Sequence, residues 1–130
     1  MLEFDIDIEI NPAFVKALEA ASITALEKTG EDIRADLIVS QTMPLDTGLL
    51  QNESTYVDYE KAKEGEIALV SNTPYARRLY FHPEYKFRTD KNPNAGAHWF
   101  DPYLAGHEKG DFAGKAFAHN LKKGMQGWIK

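Results

Sequence analysis

The sequence contains no cysteine. That excludes a disulfide framework, a thiolate metal site and a cysteine nucleophile, and leaves the chain able to fold in a reducing compartment. No apolar run approaches the roughly 18–20 residues that a membrane-spanning helix requires. The opening residues Met1-Leu2-Glu3-Phe4-Asp5 are acidic and alternating, so no secretory signal is expected there. The nine glycines are scattered, and none opens a helix in a phosphate-cradling pattern. His82, His98, His107 and His119 never fall at the i, i+4 spacing that puts two ligands on one helix face, and His107-Glu108 lacks the second histidine of a zinc-protease motif. Ser22, Ser40, Ser54 and Ser71 have no Gly-x-Ser-x-Gly context. Neither metal nor cofactor is expected.

What is present is an ordinary folded composition. The apolar fraction is 43% and the charged fraction 27%. The 130 residues fit one domain with a core of its own. The net charge of −5 hides an asymmetry: residues 1–60 carry 3 basic and 13 acidic side chains, whereas residues 61–130 carry 12 basic and 7 acidic. Two differently solvated faces account for this split. So does an acidic side of one copy that meets the basic side of the next, a head-to-tail contact of the kind that closes rings. Sequence-independent DNA binding through a broad basic patch is disfavoured at this net charge.

Leu2, Phe4, Ile6, Ile8 and Ile10 alternate with Glu3, Asp5, Asp7 and Glu9. The period of two predicts an edge strand with one buried face and one solvated face. Asn11-Pro12 then reads as a cap followed by proline at the first helical position. Phe14, Leu18, Ala21, Ala25, Leu26, Ile33 and Leu37 follow at helical spacing and predict one long helix over 12–42, with Gly30 a point for a kink or break. Pro44 is expected to end it. Residues 49–60 and 66–71 predict two antiparallel strands joined by a five-residue connection, Lys61 to Gly65. Thr73-Pro74 is expected to cap and start a short helix. Residues 81–97 sustain no period and predict a long loop. Trp99-Phe100-Asp101-Pro102-Tyr103 re-anchors the chain, and Asp111 is expected to cap a last helix whose apolar line is Ala113, Phe117, Leu121, Met125 and Trp128. The expected class is α+β: a long N-terminal helix across an antiparallel sheet, a C-terminal helix and one long loop.

Two clusters carry candidate chemistry. Asp46-Thr47-Gly48 is the triplet with which a dimeric, retroviral-type aspartic protease builds its shared-proton dyad. Its surroundings do not fit: Met43-Pro44-Leu45 precedes it, two leucines follow it, and the first third of the chain is helical. Asp46, Thr47 and Gly48 are therefore read as a structural turn. The second cluster is aromatic and basic, running from Tyr75 to Tyr103 with Arg77, Arg78, Lys86 and Arg88. Such a set stacks on single-stranded nucleic acid, fills a small second core, or forms a subunit interface. Core and interface are the readings preferred.

Taken in order, these features resemble a known family. A long helix leads to Pro44-Leu45-Asp46-Thr47-Gly48-Leu49-Leu50, then a hairpin, then Asn72-Thr73-Pro74-Tyr75-Ala76, a Pro/Asn-rich loop, Trp99-Phe100 and a closing helix. This is similar to the minor capsid and head–tail connector proteins of tailed bacteriophages, which include tail-completion and neck proteins. The resemblance covers about residues 12–125. It implies a non-enzymatic virion protein that assembles with itself as a ring at the head–tail junction, after a stay in the host cytoplasm. Its partners would be other neck and tail proteins, with DNA passing through the lumen without specific binding and no membrane contact. It further implies that Tyr75 and Ala76 pack the hairpin against the helix. Arg77, Arg78, Tyr85, Phe87 and Trp99 are then candidates for the subunit interface, with the loop 81–97 ordering against a neighbour.

Overall fold

The computed structural model describes residues 2–6, 8–44, 54–73 and 75–128. The fold is α+β. Helix α1 (Pro12–Ser40) is followed by an antiparallel hairpin of β1 (Thr55–Asp58) and β2 (Ala68–Ser71). A short helix α2 (Ala76–Tyr80) and a long irregular stretch lead to the C-terminal helix α3 (Phe112–Gly124).

Asn11 starts α1 by accepting the Ala13 N–H at 2.9 Å. The helix runs unbroken through Gly30, so the expected kink is absent. Gly30 instead marks where the hairpin crosses: a Cβ there would lie 2.5 Å from Ile67 Cδ1 and 2.7 Å from Val57 Cγ1. The helix ends at Ser40, before Pro44 is reached, because Gln41 turns left-handed (φ 56°) and its N–H bonds the Ile38 carbonyl at 3.2 Å. Asn94 Nδ2 then donates to the Ser40 carbonyl at 3.0 Å.

In the hairpin, Thr55 faces Ser71 and Val57 faces Leu69. Thr55 and Val57 are buried towards α1. The connection is longer than the five residues expected. Ala62 turns inward and is buried, which draws residues 62–64 into a single tight 3₁₀ turn and shortens both strands.

α3 packs along α1. Met125 is buried, and the Trp128 ring meets Phe14 edge-on at 5.6 Å. Asp111 does not cap α3 with its side chain. Its backbone is already helical, and its carboxylate reaches Lys115 at 2.7 Å instead. The Thr73 side chain likewise caps nothing, since α2 begins at Ala76 with Tyr75 at its cap position.

The strand expected over 2–10 is not formed among its described residues, 2–6 and 8–10. Among the described residues the only sheet is the β1–β2 hairpin. Leu2, Phe4, Ile6, Ile8 and Ile10 are 64–84% exposed, because nothing else in the described chain lies beside them. The Asp46-Thr47-Gly48 turn lies outside the described residues. No helix among the described residues is long and apolar enough to cross a membrane.

Candidate functional site

The aromatic cluster resolves into a core and a rim. Trp99, Leu37, Met43 and Ala76 are buried together, with Tyr80, Phe100 and Tyr103 packed against them. Trp99 Nε1 donates to Ser71 Oγ at 3.2 Å, and Ser71 Oγ also pairs with Thr55 Oγ1 at 2.8 Å. This ties the indole to the end of the hairpin. Tyr80 sits at the centre, with ring centroids 4.8 Å from Trp99, 5.2 Å from Phe81 and 5.2 Å from His98. Its hydroxyl donates to the Asp101 carboxylate. Burial, then that hydrogen bond and the carboxylate charge, push the phenol well above its ordinary value.

These positions divide the expected interface residues. Trp99 is 1% exposed and belongs to the protomer's own core, so it is not surface for a neighbour. Ala76 is buried beside Leu37, whereas Tyr75 is 68% exposed and does not pack the hairpin against the helix. The reason is the helical register of α2: one position faces the core and its neighbour must face away. Arg77 and Arg78 are exposed. The Arg77 guanidinium lies 6.0 Å over the Phe81 ring. Arg78 Nε donates to Tyr85 Oη at 2.9 Å, and Tyr85 stacks on His82 at 4.7 Å. Phe87 is half-buried.

The loop 81–97 is held by its own protomer. Asn92, itself 3% exposed, donates to the Met43 carbonyl at 2.8 Å, and the Gly96 N–H reaches the Thr42 carbonyl at 3.1 Å. Together with Asn94 on Ser40, these bonds staple the loop to the end of α1.

Between Ser71, Arg77, Tyr80, Phe81 and Phe100 a notch of about 210 Å³ remains open. Its walls are aromatic, and its rim carries the exposed Arg77. A second groove, of about 700 Å³, runs between α1 and α3 past Asp32, Asp36, Lys109 and His119. Three of its carboxylates are engaged: Asp32 accepts from Asn120 at 2.9 Å, Asp36 accepts from Lys109 at 2.6 Å and Tyr103 at 2.7 Å, and Asp111 pairs with Lys115 at 2.7 Å. Among the described residues no three His, Asp or Glu side chains converge as metal ligands would.

The feature that sequence reasoning assigned elsewhere is the N-terminal arm. Its five apolar side chains have no cover, and among the described residues its backbone makes no hydrogen bond before Asn11. Burying each such side chain is worth about 1.5–3 kcal/mol. No protein-family model, curated protein or solved structure matches the chain.

Proposed function

We propose that this chain is a non-enzymatic structural protein of a tailed-phage particle, a minor capsid or head–tail connector component that assembles with copies of itself to complete the neck between portal and tail. The single observation that carries the assembly part is the uncovered apolar arm. A chain that leaves Leu2, Phe4, Ile6, Ile8 and Ile10 in solvent is built to have them covered by something else. The phage part rests on the ordered motifs Pro44 to Leu50 and Asn72 to Ala76, and on their setting of a long helix, a hairpin and a closing helix. Acidic residues dominate the first half of the chain. In a neck they suit a lumen through which DNA slides without sticking, because carboxylates repel phosphates.

The other readings find less support. A retroviral-type protease is nearly all-β, whereas here one helix of 29 residues crosses a two-stranded sheet. A single-strand-binding module needs its aromatic faces open for stacking, whereas Trp99 is buried and Tyr80 packs against the same core. The test is reconstitution. Particles made without this protein should accumulate normal heads and normal tails that do not join. Normal joining in its absence would refute the assignment.

A further inference from the structure

The arm has the pattern of a strand without a sheet, and the hairpin is a sheet with an open edge. The Asn72 N–H donates to the Ser54 carbonyl at 2.7 Å, in register with Thr55 opposite Ser71. By the alternation of an antiparallel ladder, the N–H and C=O of Leu69 and Ser71 then point away from β1. Among the described residues no strand lies on that side of β2. The outer side of β1 is different. There the Thr55 carbonyl accepts from Arg34 Nε at 2.8 Å, so α1 already occupies it.

We propose that residues 2–10 of one copy add as a third strand along the outer edge of β2 in a second copy, seating an apolar side chain in the notch beside Ser71. Three observations select this partner. The arm's period of two matches a strand that buries one face, and β2 supplies the missing hydrogen-bonding edge. The notch begins at Ser71, the last residue of β2, and is walled by Tyr80, Phe81 and Phe100. Glu3, Asp5 and Glu9 on the arm's polar face are opposite in sign to Arg77 on the notch rim and to the net-basic half of the chain, residues 61–130.

Self-docking is within reach, yet among the described residues the arm pairs with no strand of its own copy. From Pro12 to Gly30, where the hairpin crosses, α1 is about 27 Å long, and an extended arm of this length spans about 30 Å. The five apolar side chains nevertheless stand exposed. Each copy carries one donor arm and one acceptor edge on different surfaces. Passed on from copy to copy, the contact is heterologous and yields a ring when the rotation closes; exchanged reciprocally between two copies, it closes a dimer. The inference rests on the self-association part of the function proposed above and does not depend on the phage assignment.

The experiment uses the full chain, and the absence of native cysteine makes it clean. Ile6→Cys and Ala68→Cys proteins are mixed and treated with a short bis-maleimide. The expected product is a covalent dimer containing one chain of each variant. Arm-to-arm products alone, or no product, would overturn the proposal. So would a chain carrying both substitutions that cross-links only within itself when dilute. In parallel, Ile6→Asp combined with Ile8→Asp should weaken self-association by roughly a hundredfold or more in sedimentation velocity. Both positions are more than 80% exposed, so the circular dichroism of the protomer should be unchanged. A wild-type chain that stays monomeric at all concentrations, or an unchanged oligomer in the double variant, would equally overturn it. Cross-linking through the arm together with normal head–tail joining in the protein's absence would sink the neck assignment and leave this contact standing.

Discussion

Gly30 of α1 and Val57 of β1 approach so closely that a methyl group on Gly30 would lie 2.7 Å from Val57 Cγ1. Alanine in place of glycine gains up to about 1 kcal/mol of helix propensity. Overpacking a filled core costs about 1–3 kcal/mol. Ile67 Cδ1 is the tip of a flexible side chain and can move, but valine is stiff at its only side-chain torsion. The overpacking therefore wins. Gly30→Ala should lower stability by about 1 kcal/mol in urea denaturation, and Val57→Ala in the same chain should recover part of that loss. Additive losses would mean that the two sites are not in contact.

Asn120 holds α3 to α1 from a nearly buried position. Its Nδ2 donates to Asp32 Oδ2 at 2.9 Å and to Thr29 Oγ1 at 3.2 Å. Asn120→Asp replaces a donor with a second carboxylate beside Asp32, so at neutral pH the variant should lose about 2 kcal/mol or more. Acidification restores a proton between the two oxygens. The deficit should therefore shrink as the pH falls from 7 towards 4, as read from urea midpoints across that range.

Much of α1 is legible in the sequence, because Ala25, Ile33 and Leu37 carry the helical period and are buried where that period places them. Thr29 and Gly30 share the same buried face but carry no apolar signal. Thr29 hides its hydroxyl by donating to the Ala25 carbonyl at 2.7 Å, and Gly30 is buried because another element needs the space. Neither reason is visible to a hydropathy pattern. The arm fails differently. Alternation states that one face of Leu2 to Ile10 wants cover, but not which chain supplies it. The site divides in the same way. Of Tyr75 and Ala76, only Ala76 is buried, in the cluster with Leu37, Met43 and Trp99. Trp99 has the composition of an interface residue and the burial of a core one, and sequence alone does not separate the two.

Asp36 predicts a specific acid dependence. Burial pushes its carboxyl up, but the hydrogen bonds from Lys109 and Tyr103 and the lysine charge outweigh it, so its value lies below the ordinary 3.8. A carboxyl depressed on folding stabilises above its unfolded value, and the contribution is lost as pH falls through the folded one. The pair is partly exposed, so about 1 kcal/mol is the scale expected. Asp36→Asn should be less stable than the parent at pH 7 and at pH 5, and the gap should close as pH drops below about 4. Urea titrations at pH 7, 5 and 3 check this, and a gap that persists unchanged at pH 3 would assign the loss to packing instead.

Trp99 and Trp128 give the sharpest separation of core from surface. Trp99 is 1% exposed among Leu37, Met43, Ala76 and Tyr80, while Trp128 is 45% exposed against Phe14. Removing a buried aromatic costs about 3–5 kcal/mol. Trp99→Ala should therefore abolish or nearly abolish cooperative folding, even though an interface role alone would leave the isolated protomer intact. Trp99→Phe keeps most of the volume but cannot donate to Ser71 Oγ, so a smaller loss of about 1–2 kcal/mol is expected. Trp128→Phe retains the edge contact and should cost less than about 1 kcal/mol. That variant leaves Trp99 as the single tryptophan, whose emission is excited selectively over that of the tyrosines. Its emission should be blue-shifted in the native state and move to the red in one step with urea, coincident with the loss of helical circular dichroism. A native emission already at the solvent-exposed wavelength would place Trp99 on the surface and return it to the interface residues.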